Sequence, residues 1–301
     1  MSLIEERFPD IRKNVSMRDY STFKAGGSAK YFCEPETSEE LKLLIGTCKE
    51  QGLDYYVIGN GSNILFSDKG FDGVVIRIAS GEFSTVNVCG NEVTCGAGAL
   101  LSRMGNACTN ASLKGAEFAC GIPGSIGGAV YMNAGAYGGE IKDIVSQVKY
   151  LDNDGEIKII NGSDCEFGYR ESVFEKQGYT ILEATFVLES GDKDAISSYV
   201  KELATKRSDS QPLTVPSAGS TFKRPTGYYA GALIQEAGLK GFALDDSGAQ
   251  VSPKHAGFVV NNEGKASASD IYRLICYVSD KVYENSGVRL EPEVRLIGDF
   301  N

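Results

Sequence analysis

The sequence predicts an α+β fold divided into three lobes. Its 301 residues are about twice the length of an average domain, which favours two or three domains. Strand and helix patterns alternate in the first part, strand patterns dominate the middle, and the pattern changes again after the polar stretch 206–212. We therefore place the lobes at residues 1–80, 81–205 and 206–301.

The first lobe contains one well-marked helix between short strands. Thr37–Glu40 has the composition of a capping box, and Gly52 is placed to end the helix. The apolar residues at helical spacing are Leu41, Leu44, Ile45 and Cys48. Short apolar strands are predicted at 55–58 and 74–78.

The second lobe is predicted to contain a hairpin, a long strand and two helices. Strands at 149–151 and 157–160 flank Asn153–Gly155, whose composition is typical of a tight turn. The other elements are the strand 179–188 and the helices 100–112 and 195–206.

The third lobe is predicted to contain two strands and a long helix. The helix begins at Ser267 and ends at Gly287. Its buried stripe consists of Ile271, Leu274, Ile275, Val278 and Val282. Strands are expected before and after it, at 257–260 and 288–297.

Charge and hydropathy exclude two classes of partner. Lys and Arg total 30 against 40 for Asp and Glu, a net charge of −10, whereas nucleic-acid binding requires a positive surface. The first residues lack the basic end and apolar run of a signal peptide. No apolar stretch approaches the roughly 20 residues that cross a membrane. We therefore expect a cytoplasmic protein without membrane insertion.

The eight cysteines indicate a reducing environment. They form no CxxC pair and only one histidine is present, so we expect no metal site. Most have apolar or small neighbours, which predicts buried thiols.

The 36 glycines exceed the usual share of about 7% and form two clusters. Gly59–Asn63 follows a strand, where glycines let successive N–H groups point at one anion. The longer cluster, Gly121–Gly128 with Asn133–Gly139, is typical of backbone packed against a large, flat, phosphorylated ligand. Either cluster alone would also suit a tight turn. Neither matches GxGxxG or GxxxxGK[ST].

Seven motifs occur in order between about residue 15 and residue 300: Ser21–Gly27, Ile58–Leu65, Gly121–Gly128, Phe167–Ser172, Ala218–Pro225, Lys254–Phe258 and Leu290–Arg295. Together they resemble the UDP-N-acetylenolpyruvoylglucosamine reductase family of flavoenzymes. The resemblance implies a two-lobe FAD-binding unit of the vanillyl-alcohol-oxidase (PCMH) class and a C-terminal α+β substrate-binding domain. It also implies NADPH-dependent reduction of UDP-N-acetylglucosamine enolpyruvate to UDP-N-acetylmuramate for bacterial peptidoglycan.

The resemblance places FAD, held without a covalent bond, against both glycine clusters. The implied cofactor-binding residues are Ile58, Gly59, Asn60, Gly61, Ser62, Asn63, Gly121, Ile122, Pro123, Gly124, Ser125, Gly127, Gly128, Ala134 and Gly135. His255, the only histidine, lies outside the two flavin lobes and its setting favours a structural hydrogen bond.

Three catalytic residues are implied, and each has an ordinary structural alternative. Ser220 is the implied proton donor, although most loop serines are turn or cap residues. Arg170 is implied to stabilise the intermediate, although an exposed arginine usually forms a surface ion pair. Glu293 is implied to polarise the intermediate, although a Glu and Arg on one strand usually form a solvated face.

The predicted terminal strand places Glu293 and Arg295 on one face and Val294 and Leu296 on the other. Glu291 lies in the same run, but the motif alignment assigns the catalytic role to Glu293.

Four further residues are expected to bind substrate. Tyr169 lines the pocket, Lys223 and Arg224 are candidates for the UDP phosphates, and Arg295 contacts flavin or substrate. Arg224 stands where family members with an extra lid tend to have Asn, and the third lobe is short, so the chain resembles the lidless type.

Two alternatives stay open at this stage. A different oxidoreductase of the same flavin class would react with oxygen and need no Ser220, Arg170 and Glu293. A flavin-carrying protein without turnover would tolerate the loss of Glu293. In either case the partners are small molecules, and we expect a monomer.

Overall fold

The structure, a computed structural model, describes residues 2–300. The chain forms two compact units. The first unit comprises the residues up to Arg12 together with 32–60 and 74–207, and the second comprises 13–31, 61–73 and the residues from Ser208 onward. Three chain segments thus build each unit.

The secondary structure mixes helices and strands, as the fold class predicts. The helices are α1 (Leu3–Arg7), α2 (Ser38–Gln51), α3 (Leu101–Asn110), α4 (Ile126–Tyr131), α5 (Val173–Gln177), α6 (Lys193–Ser210), α7 (Ala230–Glu236) and α8 (Ala268–Ser286). The strands are β1 (Arg12–Ser16), β2 (Ser28–Cys33), β3 (Tyr55–Ile58), β4 (Ile64–Phe66), β5 (Phe71–Arg77), β6 (Val86–Cys89), β7 (Glu92–Gly96), β8 (Leu113–Lys114), β9 (Gly135–Ala136), β10 (Gly139–Glu140), β11 (Val145–Leu151), β12 (Ile157–Asn161), β13 (Thr180–Val187), β14 (Glu189–Ser190), β15 (Ala249–Val251), β16 (Val259–Asn261) and β17 (Arg295–Ile297).

A five-stranded antiparallel sheet organises the first unit. Its order is β12-β11-β13-β7-β6, and the predicted hairpin is confirmed, with Lys149 opposite Ile159. Helices α3 and α4 contact this sheet. Leu101, Met104 and Ile126 from these helices are fully buried in one core with Phe186 of β13. Apolar burial of this kind contributes about 25 cal/mol per Å².

The first unit also confirms the helix and strand predicted near its start. The Thr37 side chain accepts a hydrogen bond from the Glu40 N–H, and Gly52 ends α2 in a left-handed conformation. Tyr55 of β3 pairs in parallel with Val74 of β5. The first glycine cluster begins directly after β3, the first strand of this parallel pair.

The second unit is built around α8. Ser267 and Asp270 form a capping box at its start, and Gly287 (φ +70°) ends it, so both predicted boundaries are confirmed. All five predicted stripe residues are buried. The antiparallel pair β15–β16 contacts α8, and β4 pairs in parallel with β17.

The predicted strand 288–297 is wrong in length, because only Arg295–Ile297 forms β17. Pro292 has no N–H to donate to a ladder and forms only an isolated bridge with Phe222. The predicted faces are wrong as well, since Val294 is buried and Leu296 is exposed. Glu293 and Val294 lie outside β17, so the alternation of a strand does not extend to them.

The predicted burial of the thiols is confirmed for four of the eight cysteines and wrong for two. Cys89 and Cys276 are exposed, whereas Cys48, Cys95, Cys108 and Cys165 are buried and Cys33 and Cys120 are half-buried. Burial raises the pKa of Cys95 to about 12, so this thiol stays protonated at neutral pH. No helix within residues 2–300 is long and apolar enough to cross a membrane.

Candidate active site

Within the first unit, Gly59 of the first glycine cluster meets Ser125 of the longer cluster. A Cβ atom there would lie 2.0 Å from Ser125 Oγ, so only glycine fits. Next to it, Asn60 Nδ2 donates a hydrogen bond to the Pro123 carbonyl at 2.6 Å. These contacts hold the residues after β3 directly against the turn that precedes α4.

Gly127 of the longer cluster packs closely against Ala97. A Cβ on Gly127 would lie 2.9 Å from Ala97 Cβ. The Gly127 N–H donates to the Ala97 carbonyl at 2.7 Å, and the Ile126 N–H donates to the Ala99 carbonyl at 2.8 Å. These two amides are therefore occupied within the protein.

The residues after β3 retain donors that suit the diphosphate of FAD. Among residues 2–300, the backbone N–H groups of Gly59 and Asn60 have no protein acceptor at hydrogen-bond distance. Adjacent backbone N–H groups form an anion-binding concavity when they face one ligand. The donor set of this loop therefore fits the cofactor implied by the sequence motifs.

The end of the same loop belongs to the second unit and is anchored to the Glu293 segment. Gly61 (φ +65°) lies so close to Tyr20 that a Cβ would meet its carbonyl oxygen at 1.9 Å. Asn63 Nδ2 donates to the Glu293 carbonyl at 3.1 Å, and the Asn63 carbonyl accepts from the Arg295 N–H at 3.0 Å. The parallel pair β4–β17 continues this connection.

Ser220 and the Glu293 segment are brought together through Thr221. Thr221 is buried; its N–H donates to the Gly257 carbonyl at 2.9 Å, and its carbonyl accepts from the Glu293 N–H at 2.8 Å. Its Oγ1 accepts from the Val259 N–H at 2.9 Å. Ser220 precedes this fixed residue and is exposed. Ser220, the implied proton donor, is therefore next in sequence to Thr221, which binds the backbone of Glu293.

Lys223 and Arg224 have protein partners. Lys223 Nζ lies 3.4 Å from a carboxylate oxygen of Glu291, which is largely exposed. The Arg224 guanidinium stacks over the Tyr229 ring at 3.9 Å. Exposed ion pairs contribute about 0–1 kcal/mol, so an anionic ligand can compete with Glu291 for Lys223.

Arg170 lies in the first unit, between β12 and β13, with φ +60°. Its guanidinium donates to the carbonyls of Asn133 and Gly135, both at 3.4 Å, and lies over the Tyr169 ring at 5.2 Å. The side chain is thereby held against the segment that contains the predicted cofactor residues Ala134 and Gly135. A non-glycine residue at positive φ is costly and is typical of functional sites.

Two residues near this site were not predicted from the sequence. Asn133 is fully buried and has φ +44°; its position between small residues of a glycine-rich run was the available signal. Arg207 Nη1 lies 3.1 Å from the position a Cβ on Gly121 would take. Arg207 stands in the polar stretch that served only to mark a lobe boundary.

His255 forms the structural hydrogen bond that its sequence context favoured. Its Nδ1 accepts from the Gly257 N–H at 3.1 Å, and its ring packs edge-on against Phe258 at 4.9 Å. Burial lowers the pKa of His255 below its usual 6.5, which keeps the imidazole neutral.

Comparison with known proteins gives matches along almost the whole chain. A family model described as the UDP-N-acetylenolpyruvoylglucosamine reductase C-terminal domain matches residues 211–297, and one described as an FAD binding domain matches residues 29–161. These matches, with the mixed helix and strand content, confirm the predicted fold class.

Named relatives agree with these matches. UDP-N-acetylenolpyruvoylglucosamine reductase of Clostridioides difficile (strain 630) is 49% identical over 290 residues, covering 96% of this chain and 94% of the relative. The enzyme of the same name from Clostridium beijerinckii is 48% identical, covering 96% and 93%. The crystal structure of the Thermus caldophilus reductase superposes with a TM-score of 0.82 at 36% identity, covering 96% of this chain and 100% of that one.

Gly59→Ala should weaken FAD binding about tenfold or more, equivalent to at least ~1.4 kcal/mol, because the new Cβ forces the two glycine clusters apart. Adding Ser125→Gly removes the clashing atoms and should restore part of the affinity. Gly46→Ala is the control, since a Cβ there has no neighbour within 4 Å. The measurement is an FAD titration followed by flavin fluorescence. Wild-type affinity in Gly59→Ala would contradict the packing argument.

His255 should make stability depend on pH without contributing to turnover. Because burial lowers its folded-state pKa below 6.5, the unfolded chain binds more protons, and the free energy of unfolding falls as the pH drops below about 6.5. His255→Asn keeps an acceptor for Gly257 and should flatten this dependence in urea denaturation between about pH 5 and about pH 8. Loss of turnover at about pH 8 with unchanged stability would point to catalysis instead.

Proposed function

The chain belongs to the UDP-N-acetylenolpyruvoylglucosamine reductase family, and from this membership we propose that it reduces UDP-N-acetylglucosamine enolpyruvate to UDP-N-acetylmuramate, using FAD and NADPH. The observation that carries the proposal is the junction in the second unit. There Asn63 of the predicted flavin loop and Thr221, next to Ser220, both hydrogen-bond the backbone of Glu293.

Bound FAD would supply the hydride chemistry that links NADPH to the β-carbon of the enolpyruvyl group. We assign its binding to the predicted residues of both glycine clusters, from Ile58 to Asn63 and from Gly121 to Gly135. The N–H groups of Gly59 and Asn60 support this assignment, because within residues 2–300 they have no protein acceptor.

Arg170 and Glu293 would act on the charge that develops in the substrate. Addition of hydride to the β-carbon leaves an electron pair shared between the α-carbon and the carboxylate. A guanidinium binds such a carboxylate through two parallel N–H donors and stays charged throughout turnover. Glu293 would polarise the same intermediate.

Ser220 would complete the reduction by donating its hydroxyl proton to the α-carbon, on which a new C–H bond forms. The alkoxide left on Ser220 then regains a proton from solvent. An ordinary serine hydroxyl is a weak acid, so this step depends on neighbouring polar groups that favour the alkoxide. Its exposed position immediately before Thr221 leaves the hydroxyl accessible to a ligand.

The remaining substrate contacts are assigned to residues near these groups. We propose Tyr169 and Arg295 as lining the pocket, and Lys223 and Arg224 as binding the UDP phosphates. Lobes 1–80 and 81–205 would carry the flavin, and 206–301 the sugar nucleotide. The free state of all eight cysteines suits a cytoplasmic protein, which we propose to be a monomer.

Ser220→Ala should separate the two halves of the reaction. Flavin reduction by NADPH should stay within about twofold of wild type, whereas reoxidation by the enolpyruvyl sugar should slow about 10²- to 10⁴-fold, the usual contribution of a proton donor. Anaerobic stopped-flow absorbance measures both rates, and Ser269→Ala, an exposed serine of the same unit, is the control. Equal slowing of both halves would refute the assignment, and reoxidation only by oxygen would indicate an oxidase.

FAD should dissociate intact when the protein is denatured. Acid precipitation of the purified protein should leave the flavin in the supernatant, measured by its absorbance, because the only histidine is His255, outside the lobes assigned to the cofactor. Yellow colour retained in the pellet would show a covalent bond and contradict this prediction.

A further inference from the structure

Asn133 forms three hydrogen bonds through a fully buried side chain. Its Nδ2 donates to the Gly168 carbonyl at 2.9 Å and to Glu140 Oε2 at 3.1 Å. Its Oδ1 accepts from the Lys142 N–H at 3.0 Å. Both amide hydrogens and the amide oxygen therefore have partners, so the orientation of the side chain is fixed.

These bonds converge on the loop that carries Arg170. Gly168, which accepts from Asn133, lies two residues before Arg170 and closes the loop by donating its N–H to the Glu171 carbonyl at 3.1 Å. The Asn133 carbonyl accepts from Arg170 Nη1 at 3.4 Å. Asn133 thus contacts the loop on both sides, through its side chain at Gly168 and its backbone at the guanidinium.

The backbone at both positions adopts a conformation that needs support. Arg170 has φ +60° and Asn133 has φ +44°, and non-glycine residues keep such angles only where the surroundings fix them. Asparagine tolerates the left-handed region better than most residues. The hydrogen bonds of Asn133 can hold both Asn133 and Arg170 in these backbone conformations.

Glu140 adds a negative charge to the same group. Lys142 Nζ lies 2.7 Å from Glu140 Oε2, and hydrogen bonds from Lys142 and Asn133, with the Arg170 charge, hold the pKa of this carboxyl below its usual range. The carboxylate is therefore ionised at neutral pH, although it is partly exposed. It orients the Asn133 amide, whose other hydrogen reaches Gly168.

We propose that Asn133 is a positioning residue for Arg170. Its amide fixes the loop at Gly168 and its carbonyl fixes the guanidinium, so that Arg170 meets the substrate carboxylate without reorganisation. The inference rests on the proposed function, in which Arg170 stabilises the intermediate. Asn133 itself is fully buried, and it would act through Arg170.

Asn133→Gly tests the proposal, because glycine accepts the positive φ and lacks the side chain that forms the three hydrogen bonds. We expect reoxidation by the enolpyruvyl sugar to slow about 10- to 100-fold, the size of effect that misplacing a catalytic group produces, with flavin reduction by NADPH within about twofold of wild type. Hydrogen–deuterium exchange of the cofactor-free protein should be faster at residues 166–171. Glu140→Gln, which keeps an acceptor for Asn133, should give a smaller change in the same direction.

A control and a double-mutant cycle distinguish positioning from general destabilisation. Asn261 is an equally buried asparagine of the second unit, bonded to the Phe23 carbonyl and the Ala266 N–H, and Asn261→Gly should leave exchange at 166–171 unchanged. In an Arg170→Ala background, Asn133→Gly should slow reoxidation less than about twofold, because residues that act as a unit are not additive.

The outcomes separate the inference from the proposed function. If the effects of Asn133→Gly and Arg170→Ala multiply, or if exchange at 166–171 is unchanged in Asn133→Gly, the positioning role is overturned and the proposed function stands. If Arg170→Ala alone reoxidises at the wild-type rate, the assigned role of Arg170 fails first and the inference fails with it. Should Asn133→Gly not fold, Glu140→Gln carries the same two tests.

Discussion

The candidate active site depends on one buried residue, Thr221, whose three hydrogen bonds join separate parts of the second unit. Its N–H and Oγ1 pair with the segment from Gly257 to Val259, and its carbonyl pairs with the Glu293 N–H. Asn63 then extends this junction to the first glycine cluster. Leaving a buried polar group without a hydrogen-bond partner costs about 1–3 kcal/mol. These segments therefore have little freedom to move independently. Ser220 takes its position from that junction.

Elements whose signals are local could be predicted from the sequence. Helix α8 has its cap at Ser267, its stripe every three or four residues and its stop at Gly287, all within 21 residues of chain, and α2 is similar. The terminal strand could not be predicted in the same way, because Pro292 interrupts the ladder and because β17 is defined by pairing with β4 far away in sequence. No local sequence pattern predicts that each unit is assembled from three chain segments.

The site shows the same division between local and distant information. Gly59 could be recognised as part of a turn suited to an anion, but its packing against Ser125 joins residues 66 positions apart and leaves no local pattern. The motif resemblance supplied Arg170, Ser220 and Glu293 as candidates. It gave no account of Asn133, since the role proposed for this residue depends on which loop it contacts, and periodicity carries no record of such contacts.

The parallel pairing of β4 with β17 also constrains the order of events during synthesis. Asn63 and Glu293, beside this pair, are 230 residues apart. At translation rates of about 5–20 residues per second, β4 leaves the ribosome roughly 10 to 50 s before its partner exists. During that interval the flavin loop lacks the strand that anchors it, so a nascent or prematurely terminated chain cannot complete the junction. Completion of the junction is thereby tied to the last part of the polypeptide.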